Sequence, residues 1–83
     1  MSIANTLADK LATDVIRHVE ATGDEEMITI MAQTLGDSSQ TLQEAFITSV
    51  RVQRAAIRAN RLLKKRIAQH AAKTPDGEPD GLG

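Results

Sequence analysis

Five cations stand at alternating spacings of three and four along one stretch of this chain: Arg51, Arg54, Arg58, Arg61 and Lys65. At about 100° per residue, that spacing gathers them on one side of a helix. By helical rise they form a line roughly 20 Å long. Four of the five are arginines, whose planar forks fit phosphate and carboxylate oxygens. The chemistry implied is the binding of a polyanion such as a DNA or RNA backbone. Contacts of that kind give affinity without reading sequence and weaken with salt. The same ridge also suits plain solvation or pairing with the chain's own acids, which contributes little stability at a surface.

Other reactive side chains do not assemble into a set. His18 and His70 are far apart, and only Asp14, four residues before His18, offers a helical partner; a pair like that is an ordinary surface hydrogen bond. Ser38, Ser39 and Ser49 have no evident base. Gly23 and Gly36 are isolated, so no phosphate-cradling loop is expected. Met27 and Met31 are expected to fill core gaps. Cysteine is absent, which rules out disulfides and thiolate zinc sites and fits a reducing compartment. Phe46 is the sole aromatic residue, too few for a base-stacking platform. No metal, cofactor or enzyme activity is expected.

The elements that must carry the ridge follow from the apolar pattern. Ile3, Leu7, Leu11, Val15 and Val19 recur every four residues with Ala4, Ala8, Ala12 and Ile16 beside them, which predicts a first helix over about 5–21. Ser2 and Asn5 are both suitable N-caps. Gly23 ends that helix through a positive φ. Asp24, Glu25 and Glu26 follow, suited to the start of a second helix. That helix shows Ile28, Met31, Ala32 and Leu35 on one face and is expected to stop at Gly36. From Ser38 or Ser39 to about Ala72 there is neither Gly nor Pro, so a single helix of about 34 residues, roughly 50 Å long, is expected. Its apolar side holds Leu42, Phe46, Val52, Ala56, Ala59, Leu63 and Ile67, with the cations roughly opposite.

Between the second and third helices, Ala32, Leu35, Gly36, Ser38, Thr41 and Leu42 form the pattern A-x-x-L-G-x-S-x-x-T-L. This resembles the helix-turn-helix of the Fis-type DNA-binding family over residues 32–46. Asp37 and Ser39 stand where that family usually carries an apolar residue and an arginine. The resemblance implies a glycine turn and a recognition helix presenting Gln40 and Gln43 to base edges, where glutamine can read adenine. The same residues also make a plain corner, with Gly36 closing one helix and Asp37 or Ser38 capping the next.

Charge is segregated. Residues 1–50 carry eight acids against Lys10 and Arg17, residues 51–73 carry eight cations and no acid, and residues 74–83 carry three acids. Such a pattern calls for an electrostatic partner. The last ten residues, TPDGEPDGLG, cannot bury apolar surface and are expected to be disordered. No apolar run reaches the roughly 20 residues of a membrane span, and the start lacks a cationic leader, so a cytoplasmic protein without membrane attachment is expected. The fold class is all-α: one helical domain over 1–73 with two short helices followed by a long one. A two-helix layer leaves Leu62, Leu63 and Ile67 wet, so pairing of the long helix into a homodimeric bundle is expected. Function is expected to be non-enzymatic: regulatory nucleic-acid binding through the arginine face. The alternative is a protein–protein interaction module, an adaptor or inhibitor with acidic and basic faces.

Overall fold

In a computed structural model, which describes residues 2–73, the chain folds into α1 (Ile3–Thr22), α2 (Glu26–Ser38) and α3 (Gln40–Lys73). No strand occurs among the described residues. The expected tail over 74–83 lies outside them.

Local chemistry accounts for each boundary. Ser2 caps α1, its hydroxyl accepting from the Asn5 backbone N–H at 3.1 Å. Gly23 closes α1 at φ 80°, and its N–H donates to the Val19 carbonyl at 2.7 Å. A side chain at that φ is strained, so the glycine expectation holds there. Ser39 caps α3, its hydroxyl accepting from the Leu42 N–H at 3.1 Å. α3 then runs unbroken for 34 residues.

Gly36 departs from expectation. It does not stop α2, which continues to Ser38 before an extended Ser39 (φ −156°) makes the corner; Gly23 is the only glycine with positive φ among the described residues. What Gly36 supplies is clearance. A Cβ there would lie 2.7 Å from Cδ of Gln43, whose amide crosses α2 to donate to the Ala32 carbonyl at 2.9 Å. Two opposed effects follow from Gly36→Ala. Helix propensity gains about 1 kcal/mol, while displacing Gln43 loses a hydrogen bond of about 0.5–1.5 kcal/mol. Urea unfolding is expected to show a net change within about 1 kcal/mol, and in a Gln43→Ala background the same change should stabilise by about 1 kcal/mol. Equal effects in both backgrounds would break the link between the two residues.

α3 is the central element, and the two shorter helices pack against neighbouring faces of it and touch each other. Cross-links from Asp9 to Ser49, Thr13 to Gln53 and Glu20 to Arg61 join residues 40, 40 and 41 apart, so α1 runs parallel to α3 at constant offset. Links from Ala32 to Gln43 and from Glu25 to Arg54 show α2 running antiparallel to it. The core lies along α3's first half. Phe46 is completely enclosed, with Ala8, Ala12, Val15, Val19 and Val50 around it and Met27, Met31 and Leu35 closing the α2 side. Ala8 and Ala12, both with no exposed surface, let α1 come close enough to seal the phenyl ring.

Sequence reasoning missed a polar seam that sets the α1–α3 register. Ser49, nearly buried, donates to Asp9 Oδ1 at 2.7 Å. The Gln53 amide donates to Ser49 Oγ at 3.0 Å, and Thr13 donates to Gln53 Oε1 at 3.1 Å. No buried side-chain polar atom is left unpartnered among the described residues. A one-turn slip of α1 would orphan this set, which costs more than the bonds themselves contribute.

Because α1 ends at Thr22 and the offset is 40, α3 outruns its partners from about residue 62. Every residue from Arg58 to Ala72 is exposed. From about residue 62 onward neither α1 nor α2 runs alongside it, over about 17 Å by rise.

Candidate nucleic-acid interface

The cation ridge is present on α3, and the other two helices divide it into two lines. Arg54 grips Glu25 with both guanidinium nitrogens, at 3.0 and 2.9 Å. Arg61 pairs with Glu20 at the end of α1. These two form an inner line facing the acids of α1 and of the turn before α2. Arg51, Arg58 and Lys65 form an outer line at heptad spacing, rotated away from those helices. All three are exposed, and none has an ion pair among the described residues. Lys64 and Arg66 add charge to the bare end of the helix, and residues 51–73 contain no acid.

Electrostatics mark Arg54 as engaged. The Arg54 hydrogen bonds hold the Glu25 carboxyl below the ordinary glutamate range, and the same contact raises the Arg54 guanidinium. A depressed carboxyl stabilises the fold above its unfolded pKa, and the contribution is lost as pH falls through the folded value. Replacing Arg54 by glutamine is therefore expected to raise the Glu25 titration midpoint toward the ordinary value, as read by carbon-detected NMR of the carboxyl. An unmoved midpoint would show that the pair does not persist in solution.

The glutamines expected to read bases both have partners within the chain. Gln43 is half-buried and held by the Ala32 carbonyl. Gln40 is exposed but donates to Glu44 at 3.2 Å, a carboxylate one turn further along the helix. His18 meets Asp24 at 2.9 Å, across the α1–α2 turn, rather than Asp14.

The apolar side of α3 is likewise divided. Phe46 is taken up inside the chain's own core and Leu42 is half-buried, so Phe46 cannot serve a pairing face while the fold is intact. Val52, Ala56, Ala59, Leu63 and Ile67 remain exposed.

Compared with family models, curated proteins and solved structures, the chain matches none. Among the described residues no helix is long and apolar enough to cross a membrane.

Proposed function

We propose that this chain is a non-enzymatic binding protein that lays the outer line of α3, Arg51, Arg58 and Lys65, along a nucleic-acid backbone. The observation that carries the reading is the division of the ridge. Two cations neutralise acids of the chain itself, while three at heptad spacing face solvent on one unbroken helix with no ion pair among the described residues. Three charges about 10 Å apart on one rod suit phosphates, and the contact is to backbone rather than bases. Gln40 joins the contact only by releasing Glu44. In this reading the protein acts as a homodimer formed through the open apolar face of α3, in the cytoplasm, without cofactor or metal.

The test is fluorescence anisotropy with labelled duplex DNA at two salt concentrations. Binding at low salt that falls with salt, at a log–log slope of about −0.9 per phosphate neutralised, supports the reading. Flat anisotropy at low salt ends it.

A protein–protein interaction module is the second reading. It draws on an apolar groove of about 280 Å³ between α1 and α2, where Leu11, Met27 and Met31 line the walls. Methionines adapt to varied partner surfaces. Flat anisotropy would favour this reading.

A further inference from the structure

On the side of α3 away from α2, an open groove of about 690 Å³ runs between the first half of α3 and α1. Asn5 and Asp9 form one wall, and Glu44, Thr48 and Val52 lie along the other. Its ionisable side chains are both acids. The bare second half of α3 has the opposite character: Leu62, Leu63 and Ile67 are 68%, 56% and 59% exposed, and its flanking charges, Arg58, Lys64, Lys65 and Arg66, are all cations. Both surfaces lie on the same exposed side of one helix, joined by Ala55, Ala56 and Ala59, which are small enough for a second helix to approach closely.

We infer that the groove is the seat for the bare end of α3 from a second copy of this chain, the two α3 helices lying antiparallel about a two-fold axis near Ala55. This rests on the homodimer of the preceding reading and not on nucleic acid. Reciprocity is what favours the antiparallel sense. Glu44 and Arg66 each stand eleven residues from Ala55, so one axis brings Arg66 of each copy level with Glu44 of the other, twice. The same register sets Leu62 and Leu63 at the levels of residues 48 and 47, over the groove. A parallel pair instead places the exposed cations of the two copies side by side and leaves both acidic grooves open. Such an interface is isologous, as two-fold dimers require.

The arrangement has a consequence for the cations. A two-fold axis perpendicular to two antiparallel helices keeps the same flank of each on the same side. The outer lines of both copies therefore share one face, doubling the cations a single polyanion meets. Their mutual repulsion eases when phosphate lies over them, so polyanion binding and pairing reinforce each other.

The chain is free of cysteine, which makes cross-linking clean. Arg66→Cys and Glu44→Cys chains are prepared separately, mixed without nucleic acid and mildly oxidised. Disulfide dimer in the mixture, with little in either variant alone, is the expected result. Within one chain these positions are about 33 Å apart by helical rise, so any bond between them joins two copies. Cross-linking of Arg66→Cys alone would indicate the parallel pair and overturn the proposal. Light scattering on the unmodified chain should give twice the 9.0 kDa chain mass; a mass of one chain across the micromolar range would also overturn it. Leu63→Arg, outside the core, should return the monomer mass with helical circular dichroism retained. Glu44→Arg should raise the dimer dissociation constant about tenfold through two like-charge contacts, and Arg66→Glu in the same chain should restore it. Failure of rescue would remove the stated register. None of these readouts involves DNA, so a failed DNA titration leaves them standing, and their failure leaves the titration standing.

Discussion

Phe46→Ala is expected to unfold the protein at ordinary temperature. The side chain is the only large one fully enclosed among the described residues, and its neighbours come from all three helices. Truncating a buried phenylalanine costs about 3–5 kcal/mol, partly as lost transfer energy and partly as a cavity the surroundings cannot fill. Ala8 and Ala12 are too small to close that cavity, and moving α1 inward would break the Asp9–Ser49 seam. A small domain has a margin of only about 5 kcal/mol, so the loss is comparable with the whole. Helical circular dichroism and the urea transition read the outcome. Leu63→Ala is the control, because it removes an apolar residue of the same helix that touches no core. At concentrations below the dimer dissociation constant, where only single chains are present, it should leave the unfolding free energy within about 0.5 kcal/mol. A cooperative, wild-type-like transition in Phe46→Ala would show that the three helices do not share one core.

The contrast between Phe46 and Leu63 also shows what sequence could and could not convey. The unbroken α3 was legible, since a long run of good helix formers without Gly or Pro has one favourable local outcome. Ser2 and Gly23 were legible as caps because each satisfies backbone groups within four residues. Phe46 and Leu63 fall on one side of the same helical wheel, yet one is core and the other is bare. What separates them is how far α1 reaches along α3, a tertiary fact fixed by the Asp9–Ser49 and Thr13–Gln53 contacts. The spacings Asp9/Thr13 and Ser49/Gln53, each of four residues, were a signal for that seam, but nothing local ties one pair to the other. Gly36 misled for a similar reason. A glycine after a leucine near a helix end is commonly a stop, whereas here its missing side chain makes room for Gln43, seven residues on. The division of the cation ridge has the same origin. Arg54 and Arg58 are equivalent as sequence and differ only because Glu25 lies over one of them.

That division yields the second large effect. Arg51→Ala, Arg58→Ala and Lys65→Ala together should lower duplex-DNA affinity at low salt by about a hundredfold or more and flatten the log–log salt slope by about three per chain. Arg54→Ala with Arg61→Ala should change that slope by less than one, because those guanidiniums spend their charge on Glu25 and Glu20. The decisive variant works in the opposite direction. Glu20→Gln with Glu25→Gln removes the two acids and frees the inner line, so binding should tighten and the slope should steepen by as much as two per chain. Net charge alone does not reproduce this triad of results. A protein held to DNA by its overall field would lose affinity about equally per cation removed, whichever line the cation came from, and removal of distant acids would shift affinity without adding stoichiometric ion release. Equal losses from the two lines, measured at matched ionic strength, would therefore reduce the ridge to diffuse charge and withdraw the heptad line as the binding element.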